Sequence, residues 1–432
     1  MYCGSCLHGN TLAAALHRAG AEVLLTPLYT PLRTDEENVA IPRIAFGGIN
    51  VYLQQRWGLF RHTPWFLDRL LDRPGLLRWA TRGSASVRPE HLGALAVSML
   101  RGEDGRQRKE LEKLLYWLQQ EVHPDLVHLS NVMLCGTARQ IRHRLGVPVV
   151  ASLSGEDIFL EKLPAPYYEA ARTELRRRAA DLDALVAMNG YYADFMAEYL
   201  AVPRAAIRVI PPGLNLDGHG GTPAAGPSAV ASEQHPGRPF TIGYLARICP
   251  EKGLHQLLDA WHLLAGDARL PPIAVRAAGY LDPADRPYLA DLEAKVAAWG
   301  LADHFQYLGE LDRPAKIAFL QSLDVLSVPT VYRESKGLSI VEAWANGVPV
   351  VLPAHGAFPE MVQDTSGGLL YAPGDAAALA AGLQQFLQDA ELAAACGRRA
   401  QQAVFQRYSA QVMAQRTLKL YDELLRIAGR AS

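Results

Sequence analysis

Thr330-Val331-Tyr332-Arg333-Glu334-Ser335-Lys336-Gly337-Leu338-Ser339-Ile340-Val341-Glu342 follows a β-branched run, Val325-Leu326-Ser327-Val328, and leads into an apolar helical pattern. That pattern stops at Gly347, a residue suited to the left-handed conformation that closes a helix, and Pro349 just beyond cannot extend it. The spacing predicts a strand, a loop and a short helix from about Leu338 to Asn346. Glu334 then lies in the loop at the carboxyl end of a strand, and Gly337, Leu338 and Ser339 open the helix. A helix N-terminus presents unpaired N–H groups and the positive end of the helix dipole, which suits a phosphate. Glu342 falls about one turn inside the same helix, so two carboxylates flank one anion seat.

A second loop of the same kind lies upstream. In Gly243-Tyr244-Leu245-Ala246-Arg247-Ile248-Cys249-Pro250-Glu251-Lys252-Gly253 a strand runs into a turn carrying Arg247 and Lys252. Leu254, Leu257, Leu258 and Trp261 then mark one face of a helix. Arg offers a planar fork and Lys a point charge, a combination suited to a diphosphate. Two cations and a helix terminus would stabilise the charge on a diphosphate leaving group without a metal ion.

The same strand–helix alternation runs through most of the chain, the sequence form of βα units and parallel sheets. The first half carries Glu22–Thr26, Leu126–Leu129, Val147–Leu153, Ala184–Met188 and Ile207–Ile210 as strands, closed by Pro211-Pro212-Gly213. Residues from Gly218 to Pro239 are rich in Gly, Pro, Ala and Ser, a linker composition. A second series follows with Phe240–Leu245, Ile273–Ala277, Val325–Val328 and Val348–Leu352, and a polar-faced helix from about Ala410 to Ala428 ends the chain. The expected organisation is an N-terminal domain over 1–217, a linker over 218–239, a second domain over 240–408 and a terminal helix over 409–432. Ligands of open α/β sheets collect at the carboxyl ends of strands, so a cleft between the domains is the expected site.

At 432 residues the chain is too long for one ordinary core. Its composition is globular, with 49% hydrophobic and 20% charged residues and a formal net charge of -1, which argues against a protein built to coat nucleic acid. No apolar stretch is long enough to span a bilayer, and five scattered cysteines suit a reducing compartment, so a cytoplasmic location is expected.

Three segments stand apart. Residues from about 30 to 121 read as a helical insertion; Trp57, Phe60, Trp65, Phe66 and Trp79 alternate there with Arg56, Arg61, Arg69, Arg73, Arg78 and Arg82. That stretch is expected to be a solvated helical face, with weak peripheral membrane contact through 56–82 as the sharper alternative. Cys3-Gly4-Ser5-Cys6 invites a redox or zinc reading, but no second C-x-x-C accompanies it, and His128, His143, His219 and His304 have no metal-ligand spacing. Asp324 reads as structural. Finally, Tyr2 to Ser5 reads as the first strand-to-helix loop and Leu7 to Ala19 as the first helix, stopped by Gly20. No residues remain for a preceding strand, so the expectation is that Met1 is an internal start and that about ten further residues precede it in the natural protein.

The ordered set Arg247…Lys252 and Glu334-x7-Glu342 resembles glycosyltransferase family 4, as do Asn346–Val351, Gly356-Ala357-Phe358-Pro359-Glu360 and Gly367–Asp375. The resemblance runs from about Phe240 to Ser409, with weaker likeness at Val209–Gly213 and Pro124–His128. Gly48-Ile49-Asn50-Val51-Tyr52 is loosely similar to bacterial glycogen and starch synthases. The resemblance implies an α/β protein of two Rossmann-like domains facing each other across a cleft, the GT-B fold. It implies a retaining, metal-independent, hexosyl-type transferase that uses a nucleotide-sugar donor and a carbohydrate, lipid or small-molecule acceptor, with no cofactor, no metal and no nucleic-acid partner. Arg247 and Lys252 would bind the donor diphosphate. Gly337, Leu338 and Ser339 would meet the donor at the helix terminus, Glu342 would hold the ribose hydroxyls, and Glu334 would contact the transferred sugar. The terminal helix around Tyr408 to Leu425 would cross back onto the first domain.

Gly4, Ser5, Ser154 and Asp157 would lie on the acceptor or sugar side. Here the sequence departs from the family, which usually carries His where Ser154 stands in Ser154-Gly155-Glu156-Asp157. Serine keeps the backbone carbonyl and loses the imidazole, which bears on sugar identity. The competing readings are a degenerate sugar-nucleotide-binding protein without turnover and a GT-B-fold epimerase. A nicotinamide oxidoreductase is disfavoured because no G-x-G-x-x-G follows a predicted strand.

Overall fold

The computed structural model describes residues 4–28, 32, 34–44, 51, 53–55, 60, 89–220 and 238–429. The chain divides into two compact units: Cys3–Pro211 with Ala414–Ser432, and Pro212–Met413. The Arg- and aromatic-rich stretch over 56–82 lies outside the described residues except for Phe60, as does most of the linker (221–237).

In the Pro212–Met413 unit six parallel strands form one sheet. In chain order they are β5 (Phe240–Leu245), β6 (Ile273–Ala278), β7 (Phe305–Tyr307), β8 (Val325–Leu326), β9 (Val350–Pro353) and β10 (Gly368–Tyr371). Their spatial order is β10-β9-β8-β5-β6-β7. Read from β7, this is the order 3-2-1-4-5-6 of a doubly wound sheet, whose ligand crevice opens where the winding reverses. The reversal lies between β5 and β8, which pair through Ile242 with Val325 and Gly243 with Leu326. Every residue of β5 and of β9 is buried, as expected when helices cover both faces of a parallel sheet. The helix Leu254–Ala265 covers one face with Leu254, Leu257, Leu258, Trp261 and Leu264, a stripe at helical spacing. Asp324 clamps the entrance to β8: its carboxylate accepts from the Thr241 amide at 2.7 Å and from Arg238 at 2.8 Å.

In the other unit β1 (Val127–Leu129), β2 (Val149–Ser152), β3 (Ala184–Ala187) and β4 (Ile207–Val209) form a parallel sheet in that order. Among the described residues of the insertion, Pro89–Leu100 and Arg108–Trp117 are helical. The terminal helix, Ala410–Ile427, brings Tyr421 to within 2.6 Å of His128 at β1, and the other ring nitrogen of His128 lies 2.9 Å from Ser152 Oγ at the end of β2. Burial lowers the His128 imidazole to about 4.

Two sequence expectations are corrected in this unit. Glu22–Thr26 is not a strand: among the described residues only Leu25 pairs, in a single parallel bridge with Ala40, the Ile41 amide donating to the Leu25 carbonyl at 2.9 Å. Pro27 follows at once and has no N–H to extend a ladder. Nor are Gly4 and Ser5 loop residues. They form the first turn of the helix Gly4–Arg18, which starts three residues earlier than its apolar pattern suggested because first-turn amides need no intrahelical partner. No described helix is long and apolar enough to cross a membrane.

Candidate functional site

Both sequence motifs of the Pro212–Met413 unit leave the sheet at its reversal point. β5 ends at Leu245 and delivers the Arg247–Gly253 loop; β8 ends at Leu326 and delivers the stretch that carries Glu334 to Gly337. The two loops touch. The Val331 amide donates to the Glu251 carbonyl at 2.9 Å, and a Cβ on Gly253, whose φ is +76°, would stand 1.8 Å from the Pro329 carbonyl oxygen. Only glycine combines that backbone conformation with that approach. A second glycine does the same on the other side. Gly356 has φ +62°, and a Cβ there would lie 2.6 Å from the Glu334 backbone, to which the Ala357 amide donates at 2.8 Å.

This packing buries the Glu334 carboxylate and surrounds it with donors. Oε2 receives Lys252 Nζ at 2.7 Å and the Tyr332 hydroxyl at 3.1 Å; Oε1 receives the amides of Ser335 and Lys336, each at 3.1 Å. The Lys252 ammonium also lies 4.9 Å from the centre of the Tyr332 ring, within cation–π range. Burial alone would push the Glu334 carboxyl up, but Lys252 and then the amide donors hold it at about 2. The effect on Lys252 is reciprocal: burial opposes its charge, and Glu334 nevertheless drives its ammonium well above the ordinary lysine value. Arg247 is half-exposed and approaches Glu251 at 3.8 Å.

Gly337, at φ +65°, precedes the helix Leu338–Ala345, and among the described residues no side chain caps that end. Leu338 and Ser339 form its first turn. Glu342 lies buried further along, where the sequence places it, but with a partner that sequence reasoning missed: Lys316 Nζ lies 2.5 Å from Glu342 Oε1. The structure therefore brings Lys252, Glu334 and Tyr332 into one cluster and Lys316 and Glu342 into a second. Tyr332 sits two residues from Glu334 and could have been suspected. Lys316 could not, since its helix gives no local signal for a charge at a buried position.

In the other unit Ser154 and Asp157 also have partners. The Ser154 amide and hydroxyl both donate to the Glu156 carboxylate at 2.7 Å, and the Tyr192 hydroxyl donates to Asp157 at 2.7 Å while accepting the Gly155 amide at 2.8 Å. The sequence motif includes Glu156 without giving it a role, and Tyr192 is not singled out there. The first is a neighbour that could have been given one; the second lies on a separate helix, Gly190–Leu200. Gly4 and Ser5 are half-buried at the start of their helix.

Comparison with known proteins is consistent across both units. Residues 228–403 match the family described as Glycosyl transferases group 1, and residues 79–217 match Glycosyltransferase Family 4. A 2-deoxystreptamine glucosyltransferase of Streptomyces kanamyceticus is 30% identical over 275 residues, covering 61% of this chain and 67% of the relative. A GDP-mannose-dependent alpha-(1-6)-phosphatidylinositol monomannoside mannosyltransferase of Mycolicibacterium smegmatis is 29% identical over 255 residues, covering 58% of this chain and 63% of that one. The chain thus spans about two thirds of the length of these relatives. Among solved structures, a sucrose-phosphate synthase of Thermosynechococcus elongatus superposes with a TM-score of 0.60 at 22% identity, over 74% of this chain and 79% of that chain, a likeness of fold.

Proposed function

The chain belongs to the group 1 glycosyltransferases and has their GT-B fold of two parallel-sheet domains, and from that premise we propose that it moves a hexose-type sugar from a nucleoside diphosphate sugar to an acceptor hydroxyl, with retention and without a metal ion. The observation that carries the reading is the convergence at the β5/β8 reversal point. Two basic residues, Arg247 and Lys252, and an uncapped helix N-terminus at Gly337 leave adjacent strands there. A diphosphate carries its charge where such groups can neutralise it.

In the proposed reaction the bond from the anomeric carbon to the diphosphate oxygen breaks, and its electron pair leaves on the phosphate. Arg247, Lys252 and the amides at Gly337 and Leu338 stabilise that charge as it develops, the role for which preorganised donors count most. The acceptor oxygen attacks from the face that the phosphate leaves, and its proton passes to the departing phosphate oxygen. Glu334 faces the sugar, and Glu342 accepts hydrogen bonds from the ribose hydroxyls. The relatives' names give glucosyl transfer with 2-deoxystreptamine and mannosyl transfer with phosphatidylinositol monomannoside. A glucose or mannose donor and a carbohydrate, small-molecule or lipid acceptor are accordingly the classes to try first.

A thermal-shift panel of nucleotide-sugars would identify the donor, since a ligand at 100 times its Kd stabilises by about 2.7 kcal/mol. With the donor in hand, turnover is expected to survive EDTA, and NMR of the product is expected to show the donor's anomeric configuration kept. Loss of activity restored only by Mn²⁺ or Mg²⁺, or an inverted product, would overturn the mechanism.

A further inference from the structure

Lys316 lies on the helix Arg313–Gln321, buried beside Phe319 and Leu320. Its ammonium is 2.5 Å from Glu342, and the two side chains retain only 11% and 8% exposure. The same helix reaches the next turn of the Glu342 helix: Gln321 Nε2 donates to Asn346 Oδ1 at 3.4 Å, and Asn346 Nδ2 donates to the Glu342 carbonyl at 2.9 Å. The Glu342 side chain is therefore held from the neighbouring helix, and its carbonyl by Asn346 at the end of its own helix, which Gln321 meets.

Stability alone does not account for a lysine here. A buried ion pair recovers little beyond its desolvation cost, and two well-packed apolar side chains at positions 316 and 342 could fill the same space without that cost. What the pair adds is direction. An ionised carboxylate offers about four lone-pair sites, and a single ammonium on one oxygen leaves the others to accept hydroxyl protons. A carboxylate that must receive two hydroxyls of one ribose gains from being aimed in advance.

We propose that Lys316 is a positioning residue for the donor nucleotide, holding the Glu342 carboxylate so that the ribose hydroxyls can donate to it. The inference rests on the ribose role given to Glu342 above, and its test separates the two. Calorimetric Kd values would be measured for UDP against 2′-deoxy-UDP and for GDP against 2′-deoxy-GDP. The wild type is expected to favour the ribo form of whichever base it binds. Lys316→Met is expected to shrink that ribo-to-deoxy preference about tenfold, the scale of one lost hydrogen bond to a charged group, with kcat at saturating donor nearly unchanged. Lys316→Arg is expected to restore the preference.

A brace with only a structural role would lower the Tm of Lys316→Met and leave the ratio alone, which would overturn the proposal; if that variant does not fold, Lys316→Gln is read in the same way. Glu342→Ala, which removes every side-chain acceptor, serves as the control. A preference lost in Glu342→Ala but kept in the Lys316 variants refutes only the positioning role. A preference kept in Glu342→Ala, or equal wild-type affinity for both forms, refutes the ribose reading itself.

Discussion

Replacing Glu334 by Gln keeps the shape of a buried side chain and removes its charge. Gln still accepts the amides of Ser335 and Lys336, but Lys252, 2.7 Å away, loses its counter-charge. The magnitude follows from the proton equilibrium. The carboxyl titrates at about 2 in the folded chain against an ordinary 4.5. The difference of roughly 2.5 units, at about 1.36 kcal/mol per unit, makes ionised Glu334 worth about 3 kcal/mol at neutral pH. Because the folded value is depressed, the unfolded chain binds the proton first as pH falls. The contribution is therefore whole above pH 4.5, declines through the interval down to about 2 and is gone below it. Urea denaturation of wild type and Glu334→Gln should show a gap of about 3 kcal/mol at pH 7 that narrows to about 1.4 kcal/mol at pH 3. A gap that is absent at pH 7, or that stays constant with pH, would refute the assignment of this ion pair as the source.

His128 should give a second acid-sensitive term in the other unit. Its folded value of about 4 lies below the ordinary 6.5, so stability should fall by about 1.4 kcal/mol per pH unit as pH drops from 6.5 to 4, and His128→Phe should abolish that slope; parallel profiles would exclude it. Ser154→His should alter the donor profile in the thermal-shift panel and also lower stability by about 1.5 kcal/mol, because the serine hydroxyl bond to buried Glu156 is lost. Unchanged donor selectivity would remove position 154 from sugar recognition. Arg247→Ala should lower kcat by about a hundredfold, the scale for one preorganised charge stabiliser, and near-normal turnover would sink its role.

What could be read in the sequence was local. The strands β5 and β9 are short apolar runs bounded by turn residues, and the helix Leu338–Ala345 carries its own start and stop at Gly337 and Gly347. These signals survive in the fold because each depends on residues a few positions apart. What could not be read depends on partners. The run at Glu22–Thr26 has strand composition, yet a strand exists only against a neighbour, and among the described residues only Leu25 finds one. β7 carries no such signal, because Phe305-Gln306-Tyr307 is three residues long and alternates at the sheet edge. The site shows the same division. Glu334, Lys252 and Glu342 stand in recognisable motifs, but their charge partners are set by packing across long sequence separations. Glu334 meets Lys252, Glu342 meets Lys316, and Asp157 meets Tyr192 on a different helix. That a serine stands at position 154 was legible; that Glu156 holds it by two hydrogen bonds was not.

These pairings change what donor binding would involve. Lys252 is not waiting for a phosphate, because it already serves a buried carboxylate, so on the proposed reading a diphosphate enters by exchange. It competes with Glu334 for the ammonium, and Glu334 keeps the Ser335 and Lys336 amides while Lys252 turns to the phosphate. The carboxylate left behind is then less compensated and faces the sugar, where positive charge develops as the anomeric bond breaks. One pair would thus serve the leaving group with its cation and the sugar with its anion. The two halves of the pair make opposite predictions. Lys252→Ala removes a diphosphate contact, so both nucleoside diphosphate affinity and turnover should fall. Glu334→Gln removes the competitor, so affinity for UDP or GDP should rise several-fold, the scale of a shared charge-assisted hydrogen bond, while turnover falls. Calorimetry and initial rates on the same two variants decide it. If Glu334→Gln binds the nucleotide no better than wild type, Lys252 does not exchange partners, and the pair is a brace that the donor leaves intact.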